Sequence, residues 1–362
     1  MRVRGFAVHN LASLVRPACR LQQWSTRVPR PSLEQTGLRK ISSTVRGESG
    51  REYIIKEVLR RKWPNKPEYN IYRAECQGES YVAKGVSPSI LNLSQELRKE
   101  FPDSHRLRMH VDHNEKEHVL VYKYYKHTFL ALLTQYPDFQ PEEIKKILRC
   151  TAEAVKELHD KDWIHIDVKP DNILIGWAHD GRGQPRVEKV ALGDFDLALK
   201  LVDEQPLRGP HAVGNVMWRS PEGQSGKGVA KASEIYSLGL VCIYGLGGGS
   251  MLILDDETIQ QLRDEGIPSR LEIVVRHFMY FGPLPDGLLE HVDDDDWTRL
   301  FRLASELAET GAAEGPACRF EQWSVDNAPH LTPAAKDMIK NMMRLDPAQR
   351  VSIDRVLEHP WW

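Results

Sequence analysis

The chain of 362 residues is poor in cysteine and carries almost no net charge. Its cysteines are odd in number and lack Cys-x-x-Cys spacing, so we expect reduced thiols and neither a disulfide framework nor a zinc site. A formal net charge of -2 gives no global argument for a nucleic-acid partner or a membrane surface. No internal repeat is visible. The five cysteines are Cys19, Cys76, Cys150, Cys242 and Cys318.

The N-terminus lacks acidic residues. Before Glu34 the chain has none, yet it has six arginines, with apolar residues at helical spacing and several hydroxyl residues among them. This composition is typical of a mitochondrial transit peptide, and a disordered basic tail is the alternative interpretation. His9 and Asn10 interrupt the apolar run, which disfavours a secretory signal. We leave residues 1–45 out of the fold prediction and expect a mitochondrial location if they direct import, and a cytoplasmic one otherwise.

Polar side chains cluster between two apolar segments within residues 163–175. Asp167, Lys169 and Asn172 bring a carboxylate, an ammonium and an amide together where one element ends and another begins. Asp194 follows at the end of a later apolar strand, in a Gly-Asp-Phe-Asp sequence. Carboxylate and amide oxygens suit a hard divalent cation and lysine suits phosphate, so this arrangement indicates the handling of phosphate and a divalent cation.

The spacing Asp-x-x-x-x-Asn, followed by a strand hairpin and Asp-Phe, resembles the catalytic loop and metal-binding segment of the eukaryotic protein kinases. The resemblance covers residues 52–362. It implies an α+β, two-lobed fold with a small antiparallel β-rich N-lobe (52–122), a hinge (123–126) and a larger helical C-lobe (127–362). It also implies ATP and Mg²⁺ as cofactors and a Ser/Thr hydroxyl of a protein substrate as the phosphoryl acceptor.

Local patterns agree with that fold. Half-alternating apolar runs at residues 53–59, 71–76 and 80–86 predict three antiparallel strands, the last two joined at Gln77-Gly78. A Ser-Pro-Ser sequence from residue 87 predicts the start of a helix that includes residues 91–101. Helical spacing over residues 144–158 predicts a long helix. Strands at 172–176 and 189–192 would then carry Asn172 and Asp194 to one side of a hairpin.

The resemblance assigns roles to the catalytic stretch. Asp167 would accept the proton of the attacking hydroxyl. Lys169, typical of Ser/Thr-directed members, would offset charge on the transferred phosphoryl group. Asn172 and Asp194 would hold Mg²⁺ through oxygen atoms.

It also implies a nucleotide site in the N-lobe and hinge. Lys84 would pair with the α- and β-phosphates. Glu96 is the helix carboxylate expected to pair with Lys84, and Glu100, one turn later, is the rival. The other residues would surround adenine through apolar side chains, the hinge backbone or the back of the pocket: Val82, Leu174, Lys123, Tyr125 and Tyr122.

Two distant segments complete the resemblance. Ser220-Pro221-Glu222 stands where the family has Ala-Pro-Glu, and Arg350 stands where the family has an arginine that pairs with that glutamate. A Glu222–Arg350 pair is therefore expected. The apolar residues 237–254 are long enough to span a membrane, but we interpret them as the buried central helix of the C-lobe. The family has aspartate where this helix begins with Glu234.

Three departures from the kinase pattern leave other functions open. No glycine-rich loop occurs between residues 51 and 78, Asp196 replaces the glycine after Asp-Phe, and Ile166 replaces the arginine before the catalytic aspartate. One alternative is a pseudokinase that acts as a binding or scaffold module. The other is a small-molecule kinase with an Asp-x-Asp metal motif, against which Lys169-Pro170 and the Ser-Pro-Glu segment argue.

The segment between the metal site and Ser-Pro-Glu lacks phosphate acceptors. Residues 195–219 contain no Ser, Thr or Tyr, and Ile166 cannot bind a phosphate. We therefore expect an active enzyme to work without phosphorylation of this segment. The Asn215 side chain would bond to the catalytic site. Packing would hold the segment, with these candidates: Leu197, Leu199, Leu201 and Val202.

Overall fold

The computed structural model describes residues 43–60, 66–249, 252 and 254–362, so the predicted import signal lies almost wholly outside the described residues. The first part of the chain forms a six-stranded antiparallel sheet. Its strands are β1 (Thr44–Arg46), β2 (Glu52–Arg60), β3 (Ile71–Cys76), β4 (Glu79–Gly85), β5 (Asp112–Asn114) and β6 (Val119–Lys123). The strand order is β1-β2-β3-β4-β6-β5. The three strands predicted from alternation correspond to β2, β3 and β4.

The hairpin of β3 and β4 fixes the position of Lys84. Gln77 and Gly78 form its turn with φ values of 52° and 82°. Two successive left-handed residues are what a type I′ turn requires, and its twist matches that of the flanking strands. The resulting register places Lys84 opposite Ile71 on β3 and Leu120 on β6, one residue before β4 ends.

Helix α1 (Pro88–Glu100) follows β4 and begins where the sequence predicts. The Ser87 side chain accepts the N–H of residue 90 at 3.4 Å. Pro88 occupies the first turn, where its missing N–H would have had no helical partner. Leu91 packs against the sheet, and Leu97 belongs to the large core below it. The helix therefore bridges the sheet and the second half of the protein.

The chain after β6 is mainly helical, and short strands position its loops. The helices are α2 (Phe129–Gln135), α3 (Pro141–His159), α4 (Pro221–Ser225), α5 (Lys231–Ile243), α6 (Asp256–Asp264), α7 (Ser269–Phe281), α8 (Asp286–Val292), α9 (Asp295–Glu314), α10 (Pro333–Met342) and α11 (Ile353–Leu357). The strands are β7 (His127–Thr128), β8 (Trp163–Ile164), β9 (Ile173–His179), β10 (Pro185–Leu192), β11 (Leu199–Lys200), β12 (Leu207–Arg208) and β13 (Lys227–Val229). This β-rich first region and helical second region confirm the predicted two-lobed fold. The exact hinge at residues 123–126 stays a prediction.

One large apolar core centred on α3 and α5 holds the helical region together. Ile144, Ile147 and Val155 of α3 are at most 1% exposed, which is the apolar face predicted from helical spacing. Residues 233–243 of α5 are all buried. The central helix predicted over 237–254 is therefore shorter than expected, because α5 ends at Ile243 and a π-helical turn (Tyr244–Gly248) follows it. No helix in the described part of the chain is long and apolar enough to cross a membrane.

The hairpin of β9 and β10 brings its two ends together at one edge. Ile173 at the start of β9 lies opposite Leu192 at the end of β10. The N–H of Gly193 donates to the carbonyl of Asn172 at 2.9 Å. Asn172 directly precedes β9 and Asp194 follows β10 by two residues, so both reach the same side of the hairpin, as predicted.

Candidate active site

The loop between β8 and β9 places Asp167 at the centre of a hydrogen-bonded cluster. Lys169 Nζ lies 2.5 Å from Asp167 Oδ2, and Asn172 Nδ2 donates to the same oxygen at 3.1 Å. Asn172 Nδ2 also donates to the Asp167 carbonyl at 2.8 Å, which closes the loop on itself. The backbone N–H of Asn215 donates to Asp167 Oδ1 at 2.8 Å. The structure therefore brings together the three predicted residues and orients both carboxylate oxygens of Asp167.

Glu234 holds this loop from the first turn of α5. Its Oε1 accepts the backbone N–H groups of His165 and Ile166, the second at 2.7 Å. Its Oε2 lies 2.9 Å from His159 Nε2 at the end of α3. Glu234 is 2% exposed, so these groups satisfy a buried carboxylate that would otherwise be costly. Glutamate thus makes the tether at the position where the kinase pattern has aspartate.

The backbone at Ile166 is strained. Its φ of 69° lies in the left-handed region, which a β-branched residue rarely occupies. Such a conformation persists only where surrounding contacts over-determine it, and the bond from Glu234 supplies one. Gly214 approaches from the other side: a Cβ there would lie 2.6 Å from the Ile166 carbonyl oxygen. Only glycine allows the two segments to come this close.

Lys84 reaches from β4 to the residues that follow β10. Its Nζ lies 2.5 Å from Asp194 Oδ1 and 2.6 Å from Asp196 Oδ1. The Lys84 side chain is 8% exposed. Burial alone would lower the pKa of Lys84, but the two carboxylates outweigh it and raise the pKa above its ordinary value. Lys84 is therefore a fixed positive charge beside the candidate metal ligand Asp194.

The structure corrects the expected pair of Lys84 and Glu96. Glu96 is exposed on α1, and Lys84 uses Asp194 and Asp196 instead. The rival, Glu100, lies 3.6 Å from Lys200. Helix geometry explains the error, because Glu96 comes one residue before a buried leucine and so points about 100° away from the buried face.

The face of α1 that turns toward Asp196 is largely apolar. Leu93, Ser94 and Leu97 line a small cavity together with Phe195 and Asp196. No glutamate of α1 contributes to it. Asp196, which stands where the kinase pattern has glycine, therefore supplies the carboxylate for Lys84 that the helix does not.

The candidate metal ligands fit a hard cation. The amide nitrogen of Asn172 is committed to Asp167, so its side-chain oxygen points elsewhere. The Asp194 side chain is 42% exposed. Among the described residues, no group of three or more His, Cys, Asp or Glu side chains could hold a metal by itself. Mg²⁺ needs only one or two such oxygens when nucleotide phosphates complete its shell, so Asn172 and Asp194 suit it.

The residues predicted to enclose adenine lie on β4, β6 and β9. Val82 is 7% exposed and pairs with Tyr122 across the sheet. Leu174 lies on β9, and its Cδ1 would be 3.1 Å from a Cβ placed on Gly193. Tyr125 is half-buried just after β6. Their contact with adenine stays a prediction.

Arg108, which no sequence pattern singled out, lies against Lys123, the first residue of the predicted hinge. Its Nη2 and Nε donate to the carbonyl oxygen of Lys123 at 2.7 and 3.2 Å. Its guanidinium carbon is 4.8 Å from the ring centroid of Tyr122 and 5.9 Å from that of Tyr125. Its stem packs over Gly193, since a Cβ there would lie 3.3 Å from Arg108 Cδ. A backbone group expected to bind adenine is therefore bonded to a side chain of this chain.

Short strands hold the segment of residues 195–219. β11 pairs with β8, and β12 pairs with β13. Leu201 is 6% exposed and Leu199 is half-buried, whereas Leu197 and Val202 are 38% and 75% exposed. The last two were wrongly expected to pack. Side chains alternate along extended backbone, so Leu199 and Leu201 share the inner face and Val202 points outward.

Asn215 reaches Asp167 through its backbone and not, as predicted, through its side chain. Its Oδ1 accepts the N–H of Met217 at 3.0 Å and caps a short 3₁₀ turn (Val216–Trp218). Nearby, Arg219 donates to the Gly214 carbonyl. Burial lowers the pKa of Arg219 to about 10, against the opposing charge of Asp167. Arg219 thus adds a partly buried cation that sequence analysis did not identify.

The expected pair of Glu222 and Arg350 is confirmed. Arg350 Nη2 donates to Glu222 Oε2 at 2.8 Å, and Nη1 donates to Oε1 at 2.5 Å. The partners are 128 residues apart, and both side chains are fully buried. Burial would raise the pKa of Glu222, but Arg350 outweighs it and the pKa lies below its usual value. The pair anchors the Ser220-Pro221-Glu222 sequence to the last part of the chain.

Comparisons with known proteins agree with this geometry. A family model for the protein kinase domain matches residues 38–362. Cyclin-dependent kinase-like 5 of Homo sapiens is 26% identical over 245 residues, which make up 67% of this chain and 22% of the relative. Serine/threonine-protein kinase D2 of Homo sapiens is 22% identical over 316 residues, or 87% and 27% of the two chains. Serine/threonine-protein kinase ppk23 of Schizosaccharomyces pombe is 25% identical over 251 residues, or 68% and 54%. The chain therefore spans only part of the length of these curated relatives.

Proposed function

This chain belongs to the protein kinase family, and we propose that it transfers the γ-phosphoryl group of ATP to a serine or threonine hydroxyl of a protein substrate. The observation that carries the proposal is the cluster around Asp167. Lys169, Asn172 and the backbone of Asn215 all donate to its side chain within 3.1 Å. Phosphoryl transfer demands positioning and charge neutralisation more than covalent chemistry, and this cluster supplies both.

In the proposed reaction, Asp167 accepts the proton of the substrate hydroxyl as its oxygen attacks the γ-phosphorus. The bond from that phosphorus to the bridging oxygen breaks, and ADP leaves with the electron pair. Lys169 offsets the negative charge of the transferred group. Lys84 exchanges part of its contact with Asp194 for the α- and β-phosphates.

Asn172 and Asp194 would hold Mg²⁺ in this enzyme. When bound, the ion neutralises charge on the β- and γ-phosphates. The side chains of this chain supply the positioning. The hydrogen bond from Asn172 to the Asp167 carbonyl keeps the proton acceptor and the metal ligand in one rigid loop.

The test measures phosphate transfer from ATP to a mixture of Ser/Thr-containing peptides. We expect Asp167→Ala to lower the transfer rate by about 10²–10⁴-fold, because general base catalysis contributes that much. The thermal shift induced by ATP and Mg²⁺ should be retained, because Asp167 acts on the hydroxyl. Asp171→Ala, an exposed aspartate of the same loop, is the matched control and should keep its activity. An Asp167→Ala protein within a few-fold of wild type would refute this role.

A non-catalytic pseudokinase is the second candidate, and one observation favours it. The hydrogen bonds from Arg108 to Lys123 occupy a hinge carbonyl that adenine would need. Wild-type protein that shows no thermal shift at millimolar ATP with Mg²⁺ would support this candidate. The buried Glu222–Arg350 pair and the match over residues 38–362 both argue against a small-molecule kinase.

A further inference from the structure

We infer that Arg108 competes with the nucleotide base for the hinge and thereby sets the affinity of this chain for adenine nucleotides. The inference rests on the proposed nucleotide site and deepens it. Two hydrogen bonds join the Arg108 guanidinium to the Lys123 carbonyl, at 2.7 and 3.2 Å. The guanidinium fills the space beside that oxygen, within 4.8 Å of the Tyr122 ring centroid. Base and guanidinium cannot occupy this space at the same time.

The backbone aims Arg108 into the site. Its N–H donates to the Leu192 carbonyl at 2.7 Å, and the Leu192 N–H donates to the Arg106 carbonyl at 2.8 Å. Leu107 forms a parallel bridge with Leu192 between these two bonds. The stem of Arg108 then passes over Gly193, where a Cβ would come within 3.3–3.4 Å of it. Main-chain bonds and a glycine thus fix the backbone of Arg108 and the path of its stem, from which the guanidinium reaches the Lys123 carbonyl.

The arrangement is reversible because it is costly to hold the charge of the half-buried Arg108 away from water. Asp194 attracts the Arg108 guanidinium, but Lys84 Nζ lies 2.5 Å from the same carboxylate and already neutralises part of its charge. Burial lowers the pKa of Arg108 and outweighs Tyr122, Tyr125 and Asp194, which raise it. Moving the guanidinium into water therefore regains hydration. The base therefore meets a competitor that it can displace, at a cost in affinity.

The experiment measures binding of adenosine and of ATP with Mg²⁺ by titration calorimetry on the full chain. We expect Arg108→Met to bind both ligands roughly ten- to a hundred-fold more tightly than wild type, because the competitor is removed. Arg108→Lys should tighten binding by a smaller factor, because lysine lacks the planar fork that gives two bonds to one oxygen. The lysine variant decides the question if the methionine variant does not fold.

Arg106→Met is the matched control. Arg106 lies in the same segment, but its guanidinium points to Glu153 of α3 at 2.6 Å, and its removal should leave both affinities unchanged. Equal adenosine binding by wild type and Arg108→Met overturns the inference. So does a variant that loses ATP affinity while keeping adenosine affinity, since Arg108 would then be a phosphate ligand. Tight binding by Arg108→Met without any phosphate transfer would refute the proposed function and leave this inference standing.

Discussion

Lys84 of β4 and Asp196 form an ion pair at 2.6 Å, and the Asp196 side chain is 15% exposed. The lysine that should contact phosphates therefore takes its partner from the segment that also carries Asp194. Leu93, on the adjoining face of α1, lines the same small cavity as Asp196. A movement of α1 would leave the Lys84–Asp196 pair intact, because neither partner lies on that helix.

This arrangement predicts that a carboxylate placed on α1 can replace that of Asp196 as the partner of Lys84. We expect Asp196→Gly to lower kcat/KM by about ten- to a hundred-fold, because Lys84 loses a fixed partner. Adding Leu93→Glu should restore part of the loss, since both residues line one cavity. Leu93→Gln in the same background is the neutral control and should restore nothing. Equal rescue by Glu and Gln would show that the pair with Lys84 does not matter.

The segment of residues 195–219 should need no phosphate to become ordered. It contains no Ser, Thr or Tyr, and the pairings of β11 with β8 and of β12 with β13 already hold it. Phosphatase treatment of protein from a kinase-poor host should change the activity by less than about two-fold. A large loss of activity on treatment would mean that a phosphate elsewhere does the ordering.

Replacing only one partner of the Glu222–Arg350 pair should strongly lower the free energy of unfolding. Arg350→Met leaves Glu222 fully buried without its cation, which costs about 3–5 kcal/mol in free energy of unfolding. The double variant Glu222→Gln/Arg350→Met should be less destabilised than the sum of the single variants. Urea unfolding of wild type, the two single variants and the double variant gives the coupling free energy between the two side chains. Additive losses would show that the two charges do not stabilise each other.

Stability should fall as the pH drops below about 6.5. Burial lowers the pKa of His277 to about 3, while nearby Glu222 and Arg350 act on it in opposite directions. The unfolded chain binds this proton near pH 6.5 and the folded chain does not, so folding loses about 1.4 kcal/mol by pH 5.5. His277→Asn should flatten the pH dependence of the urea midpoint between pH 7.5 and 5.5. The same change at exposed His105 should leave that dependence as in wild type.

Residues 1–45 should direct import into mitochondria when fused to a fluorescent reporter. Their arginines and lack of acid before Glu34 are the basis, since import depends on a positive amphipathic segment. Replacing Arg16 and Arg20 with glutamate should abolish import, and replacing them with lysine should preserve it. A diffuse reporter, or one that tolerates the glutamates, would contradict this location.

Short-range rules were sufficient for much of the fold. Alternation predicted β2, β3 and β4, and the Gln77-Gly78 turn set the register that places Lys84. The Asp167–Asn172 loop could also be predicted, because its contacts lie within five residues of each other in sequence. The pair of Glu222 and Arg350 could be predicted only from the motif resemblance, because no local pattern links residues so far apart in sequence.

The sequence did not reveal which way certain side chains point in the folded protein. Arg108 sits between the buried Leu107 and Met109, and a charged residue in that position was the available signal. Its destination depends on bonds to Leu192 that no local pattern encodes. The Glu96 error was avoidable in principle, because the buried Leu97 beside it fixes which face of α1 turns inward.

The separation of Glu222 from Arg350 also sets the order of events on the ribosome. Arg350 is synthesised 128 residues after its partner, a delay of roughly 6–25 s at about 5–20 residues per second. The strands β1 to β6, all before residue 124, can pair during that time. The helical region cannot close around Glu222 until Arg350 has left the exit tunnel, so the apolar core centred on α3 and α5 stays incomplete until then. We therefore expect nascent chains of this protein to bind chaperones through the C-lobe, after the sheet has already formed.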